Sequence, residues 1–263
     1  MPFTGFNLKY PEYEVLTPQS NKSYKLRSLN VQEEEKLKGS FITPTKITEH
    51  LNKCLYESLT AKPKEVTDFA TFMTTTTLKD REALLYGLYH ITYEEIRNYD
   101  VRCSTCRKEF PVTVKASNTF SYNAYPDKDI LIKKVKVPLP MSKGVFVYVQ
   151  QPTLADEVRA IDELSNVPGF TLELVTETLV IDKFVQEAQG DIPEKTYSDR
   201  QDVIDAYLSL PARDKREIHK SYMTHFGDFG ISLKMKVFCQ HCGADEVVEI
   251  DMVENFFRMV YSA

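Results

Sequence analysis

The sequence contains no tryptophan and only nine glycines among its 263 residues. Glycine this sparse leaves little room for a Gly-rich loop cradling a phosphate, so a nucleotide-type phosphate enzyme is not expected. Positive charge is short as well: 33 Lys and Arg stand against 38 Asp and Glu, for a net charge of -5. That balance argues against general nucleic-acid binding through a basic surface. No apolar run approaches the length needed to span a bilayer, and Met1 to Tyr10 has no basic stretch followed by an apolar one. The expectation is a protein made in the cytosol with no membrane contact. With 42% hydrophobic and 27% charged residues, the chain has an ordinary globular composition and enough length for one large core or two smaller ones.

Cysteine is scarce too, five residues in all, yet four of them stand in two pairs, Cys103-Ser-Thr-Cys106 and Cys239-Gln-His-Cys242. Each pair has β-prone flanks: Phe110 to Val114 follows the first, Met235 to Phe238 precedes the second, and Val247 to Ile250 follows it. Such flanks read as two strand–turn–strand knuckles. A Cys-x-x-Cys turn puts two sulfurs on one side, and two facing turns supply the four thiolates of a closed structural zinc site. Four thiolates leave no open coordination position, so metal catalysis is not expected. Other uses of the pairs fit less well. Disulfides within each pair would close little chain, and neither flank reads as the βαβ setting of a thioredoxin-like pair. A zinc deaminase needs a Pro directly before its Cys-x-x-Cys, and Arg102 and Phe238 stand there. His241 reads as a solvent-facing turn residue, and Cys54, within an apolar helix pattern, as a small buried hydrophobe.

The remaining pattern is α+β, with a helical N-terminal region, the split ribbon, and a strand-then-helix insertion between its halves. Residues 1–30 read as an extended, Tyr- and Pro-rich arm lying on another surface. Residues 31–98 read as helical: Asn30 caps Val31 to Lys38, with Gly39 to end it; Ile47, Leu51, Cys54, Leu55 and Leu59 recur at helical spacing; Thr77 and Asp80 form a capping-box pattern ahead of Leu84, Leu85, Leu88 and Ile91. Thr74 to Thr77 reads as a loop, and His90 as a surface or cap residue. Residues 99–115 and 231–251 form the ribbon, and 116–230 the insertion. Within it, Ser117 to Tyr125 reads as a loop, Ile130–Val137 and Val145–Val149 as a hairpin, and the rest as an αα-hairpin array. That array has a helix capped by Thr153, a break at Val167 to Gly169, an apolar helical stretch from Leu172 to Val185, a loop at Gly190, a helix capped by Ser198, and one with Pro211 in its first turn. Residues 252–263, with Phe256, Phe257 and Arg258, read as a docking segment.

Several features suggest chemistry and are better explained without it. Lys133, Lys134 and Lys136 on one strand read as protection of a wet edge rather than a nucleic-acid patch. Asp156, Asp162 and Glu163 read as helix-surface acids. Gly227 to Gly230 contains the letters of the kinase metal-binding motif with none of its companions, so it reads as a helix end leading into a strand. No nucleophile–base spacing is present, and an enzyme is not expected. A zinc-ribbon nucleic-acid module is also disfavoured: Arg102, Arg107 and Lys108 decorate the first knuckle, but Asp245, Glu246 and Glu249 decorate the second.

Taken together, the run Tyr24 to Glu35, the Leu51-x-x-Cys54-Leu55 helix, the segment Asp80 to Tyr93 and the Cys-x-x-Cys that follows it resemble the baseplate hub protein family of T-even-type contractile-tailed phages. Gly227 to Ile231, Cys239 to Gly243 and Phe256 to Arg258 match the same pattern. The resemblance spans most of the chain. Arg107 departs from it, standing where a glycine is common in such knuckles, which bears on the tightness of that turn and not on the ligands. The family implies a structural role in a virion tail baseplate, assembled in the host cytoplasm, with other phage tail or baseplate proteins as partners in a symmetric hetero-oligomeric assembly. A non-virion assembly chaperone is the alternative it leaves open.

Overall fold

A computed structural model describes residues 9–37, 44–93, 96–115, 120–127, 130–164, 171–188, 190, 193–227 and 229–249. Its first unit is a three-stranded antiparallel sheet covered by helices. Strands β1 (Glu12–Leu16) and β2 (Ser23–Arg27) form a hairpin, and β3 (Leu59–Ala61) adds to the far edge of β2. Helices α1 (Val31–Leu37), α2 (Pro44–Ser58), α3 (Phe69–Thr75) and α4 (Leu78–Thr92) complete the unit. Strand alternation sends Val15, Tyr24 and Leu26 inward, where they join Leu51, Leu55, Phe72, Leu84, Leu85 and Leu88 in the largest core. The extended pieces of the N-terminal stretch are thus the strands β1 and β2, packed on the chain's own core. Gly87 permits the close approach of hairpin and α4: a Cβ there would lie 2.4 Å from Val15 Cγ2 and 3.1 Å from Leu26 Cδ1.

The caps follow sequence logic with one instructive departure. Asn30 and Glu33 make a reciprocal pair, Glu33 N–H to Asn30 Oδ1 and Asn30 N–H to Glu33 Oε2, both at 3.0 Å. Thr77 accepts from the Asp80 N–H at 3.1 Å. The Asp80 carboxylate does not complete that box. It turns instead to the β1–β2 loop, accepting from the N–H groups of Gln19 at 2.8 Å and Ser20 at 3.2 Å. Thr74 and Thr75, expected in a loop, close the last turn of α3, where their hydroxyls donate to carbonyls one turn back.

Beyond α4 come β4 (Ile96–Arg102) and β5 (Glu109–Lys115), an antiparallel pair, then β6 (Phe120–Asn123). Strands β7 (Lys134–Pro138) and β8 (Val145–Gln150) form the expected hairpin, although β7 begins four residues later than the alternation suggested. Helices α5 (Leu154–Leu164) and α6 (Leu172–Leu179), strands β9 (Ile181–Gln186) and β10 (Lys195–Tyr197), and helices α7 (Arg200–Ser209) and α8 (Ala212–Tyr222) follow. A π-helical turn, Met223–Gly227, then leads to β11 (Gly230–Phe238) and β12 (Asp245–Glu249). The second sheet runs β10-β9-β8-β7, with α7 and α8 packed on it through Val147, Val149, Phe184, Val203, Ile218 and Phe226.

Two expectations fail here for the same reason. The stretch to Val185 is not one helix, and Phe120 to Asn123 is not a loop. Each borders a strand with unpaired ladder groups: β9 lies between β8 and β10, and β6 pairs with β11. Tertiary pairing overrides local preference at such positions. Smaller shifts occur at helix starts, where Asp199 rather than Ser198 caps α7, through Gln201 N–H at 3.0 Å, and Pro211 sits at the N-cap of α8. Gly39, the break at Val167 to Gly169 and the segment 252–263 lie outside the described residues. Among the described residues, no helix is long and apolar enough to cross a membrane.

The units are tied through the β1–β2 loop. Gln19 is fully buried; its Nε2 donates to the carbonyls of Phe226 at 3.1 Å and Phe229 at 3.2 Å. Tyr125 N–H donates to Pro18 O at 2.7 Å, and Asn21 Nδ2 to Tyr125 O at 2.9 Å. A second tie joins Leu154 N–H to Thr76 O at 3.0 Å, beside an ion pair of Arg81 with Glu157 whose Nη2–Oε1 arm is 2.9 Å. Burial pushes the Asp80 carboxyl up from its ordinary range, against the N–H groups it accepts.

Asp80→Ala strips the acceptor from two N–H groups of that loop, and urea denaturation should show a loss of about 2–4 kcal/mol. Glu33 shifts the opposite way: the hydrogen bond from Arg27, at 2.6 Å, outweighs burial and holds its carboxyl below the usual range. A lowered folded value contributes stability above the unfolded pKa of ~4.3 and loses it as pH falls through the folded value. The gap in urea midpoint between wild type and Glu33→Gln should therefore close on acidification below that range and be widest near neutrality.

Candidate metal centre

The two cysteine pairs sit at the tips of two hairpins built alike. Pairing of β4 with β5 ends at Arg102↔Glu109, and pairing of β11 with β12 ends at Phe238↔Asp245, so the loops Cys103–Lys108 and Cys239–Ala244 have equal length. In the first, Cys103 N–H donates to Lys108 O at 3.0 Å and Arg107 N–H to Cys103 O at 2.9 Å. In the second, Cys239 N–H donates to Ala244 O at 2.9 Å and Gly243 N–H to Cys239 O at 2.8 Å. The residue after each second cysteine is left-handed, with φ of 62° at Arg107 and 73° at Gly243. Arg107 thus adopts the tight turn that a glycine takes in its counterpart, carrying the steric cost of a side chain in that region.

Facing each other, the loops bring four sulfurs together. Cys103 Sγ lies 3.6 Å from Cys242 Sγ, and Cys106 Sγ 3.7 Å from Cys239 Sγ; all four lie within 4.8 Å of one another. A tetrahedron of sulfurs each ~2.3 Å from a central ion has edges of ~3.8 Å. The observed spacing fits one ion with little movement. Cys103 and Cys239 are buried, Cys106 is half-buried and Cys242 is exposed. Beneath them Phe110, Val112, Met235 and Val237 form a small core of their own.

The hairpins are clasped by polar contacts as well as by sulfur. Glu246 accepts from both the N–H and the hydroxyl of Ser104, at 2.6 and 2.8 Å. The His241 ring donates through Nε2 to Glu109 O at 3.1 Å, and Gln240 Nε2 donates to Pro111 O at 3.4 Å. His241 is exposed and lies outside the sulfur cluster, as a turn residue should. Glu246, read from sequence as a surface acid, is the clasp that sequence reasoning missed; its only sequence signal is an acid one strand position from the knuckle.

The thiols are electrostatically unequal. Burial opposes ionisation of Cys239, but the N–H groups of His241 and Cys242 outweigh it and bring the thiol down to about 6. At Cys103 the Cys106 N–H favours the thiolate, while burial and the Glu246 carboxylate outweigh it and push the thiol up to about 12. The cluster thus favours the thiolate at Cys239 and the thiol at Cys103, and a cation bound by all four would displace the remaining protons.

Other residues singled out by sequence do not join this cluster. Cys54 packs against the main core, where burial pushes its thiol up to about 12 and leaves it unreactive. Lys134 pairs with Asp182 at 2.8 Å, Lys136 with Glu187 at 3.6 Å, and Lys133 donates to the Tyr125 hydroxyl at 2.7 Å. Asp156 and Glu163 line a polar cavity of about 460 Å³ with Arg159 and Arg200. Asp156 is engaged there by Thr153 and, at 2.6 Å, by Arg159.

Fold and site together define an α+β protein in which two distant hairpins bring four cysteine sulfurs to a spacing compatible with one metal ion. The chain belongs to a T4-type phage baseplate family: the family model described as T4 bacteriophage base plate protein matches residues 10–258, which include both cysteine pairs. No curated protein and no solved structure matches it. A baseplate protein, as the resemblance implied, is thereby established at the level of the family; the hub is a narrower statement than the family description makes.

The two left-handed positions should respond oppositely to substitution. Nothing lies within 4 Å of a Cβ built on Gly243, so Gly243→Ala carries only the backbone penalty, about 1 kcal/mol. Arg107→Gly should recover up to a similar amount, less the entropy a glycine adds to the unfolded chain. Urea unfolding of the metal-saturated proteins measures both.

Proposed function

We propose that the chain is a resident structural component of the contractile tail baseplate, in its hub region, and that a zinc ion held by Cys103, Cys106, Cys239 and Cys242 fixes a surface for other tail proteins. The observation that carries this reading is the convergence of four sulfurs, at tetrahedral spacing, within a chain of the baseplate family. Soft thiolates select zinc over magnesium or calcium. Four protein ligands would occupy every tetrahedral position, so the ion acts structurally and takes no part in catalysis.

The physical gain is closure of a long stretch of chain. Cys106 and Cys239 are 133 positions apart, and cross-linking a loop of that size removes on the order of 5 kcal/mol of unfolded-chain entropy in the disulfide analogue. Since no preformed site exists in the unfolded chain, metal affinity becomes folding free energy. A part added to a large symmetric particle benefits from such closure, because binding surfaces fixed beforehand lose less entropy on docking.

Elemental analysis of purified chain should find one zinc per chain, and Cys103→Ser should lose it with a fall in thermal midpoint. Mass spectrometry of phage particles should find the chain at a fixed symmetric copy number against a known tail protein. Its absence from particles, with abundance in infected cells, would overturn residency in favour of an assembly factor. A zinc-free wild type, or a Cys103→Ser chain of unchanged stability and incorporation, would overturn the staple.

A further inference from the structure

One apolar groove remains open among the helices. The first turn of α4, the Gln151–Pro152 link, α6, α7 and α8 surround a concavity of about 630 Å³, a size that suits a small ligand or a peptide anchor. Leu78, Leu179, Val180, Ile218 and Tyr207 give it apolar walls. The same walls hold an unspent polar group. Gln151 is 3% exposed; its Oε1 accepts from the Tyr222 hydroxyl at 3.0 Å, and its Nε2 is buried with no acceptor among the described residues. Nε2 itself has no exposed surface, so a turn of the Gln151 amide toward the groove is what would present this donor to a ligand oxygen.

The rim is basic on a chain of net charge -5. Lys79, Lys215 and Arg216 stand there with Glu82 and Glu177. The two acids are engaged, Glu82 by Lys79 at 3.0 Å and Glu177 by the Tyr207 hydroxyl at 3.1 Å. Lys215 lies over the Tyr207 ring, 4.6 Å from its centroid, and is in no ion pair among the described residues. Apolar walls, one buried donor and a cationic edge are jointly matched by a peptide, whose side chain, main-chain carbonyl and carboxylate follow one another at residue spacing.

We propose that this groove docks a short segment of a neighbouring baseplate protein, with an apolar side chain seated between Val180 and Ile218, a backbone carbonyl on Gln151 Nε2, and an acidic residue against Lys215 and Arg216. The proposal rests on the baseplate role above and names one of its contact surfaces. The acidic residue supplies orientation, since a rim charge steers and registers a partner.

The test uses full-length zinc-loaded chain on an array of short overlapping peptides tiling the phage's other tail and baseplate proteins. Bound peptides should share an apolar anchor next to Asp or Glu. Titration of a bound peptide should weaken about tenfold or more with the pair Lys215→Glu and Arg216→Glu, and a peptide with its acid changed to Lys should recover affinity for that variant. Thr176→Trp, at an exposed position on the groove wall, should block binding while circular dichroism stays unchanged. The proposal is overturned if no tiled peptide binds, or if binding is indifferent to both variants. Particle mass spectrometry separates this from the parent reading. Wild-type chain missing from particles removes the baseplate role, whereas wild-type-level incorporation of both variants removes only the groove.

Discussion

The fold depends on giving partners to a buried loop. Thr17 to Asn21 turn the chain between β1 and β2, and within this turn Thr17 and Gln19 have no exposed surface. Backbone groups there have no water to fall back on. Asp80 accepts two of their N–H groups, Tyr125 donates to Pro18 O, and Gln19 reaches the carbonyls of Phe226 and Phe229. These partners come from α4, from the segment after β6 and from the entry to β11. Satisfying one loop therefore fixes three separate parts of the chain relative to one another. The raised carboxyl of Asp80 shows the cost of placing a charge there, which only a full set of accepted bonds offsets.

The cysteine centre solves a different problem. Its small core, Phe110, Val112, Met235 and Val237 with the buried cysteines, is too little apolar surface to hold two hairpins by itself. Polar clasps such as Ser104 to Glu246 lie at the exposed rim, where water competes with them. The ion proposed above, bound by four thiolates, would supply the constraint that this small core lacks. Arg107 is left-handed because the turn that aims Cys106 at the other sulfurs requires that backbone, whichever residue stands there.

Much of the site was legible because its signal is local. A Cys-x-x-Cys pair with β-prone flanks specifies a knuckle within a few residues, and two of them leave one sensible four-sulfur arrangement. Helices with clear periodicity and caps, α1, α4 and α5, were legible for the same reason. What was not legible is non-local. Residues 12–27 look like an arm until α4 is placed over Val15 and Leu26, and Phe120 to Asn123 looks like a loop until β11 arrives from more than a hundred residues away. Strand β9 reads as the tail of a helix because Val180 and Ile181 suit either structure, and the neighbouring β8 decides. Glu246 carries no mark in sequence that separates it from the acids around it.

The loop and the cysteine cluster are coupled through β11. Its first residues pair with β6 beside α4, and its last lead into the second knuckle. Side chains on one face of a strand recur at every second residue. Here Ile231 and Leu233 enter the main core, and Met235 and Val237, on the same face further along, enter the ribbon core. A slip of one residue at either end would turn all four toward the wrong side. The main core can therefore accept Leu233 only in the register that also points Cys239 at the other sulfurs. Convergence of the four sulfurs at one end and burial at the other require the same alignment, so each supports the other along one strand.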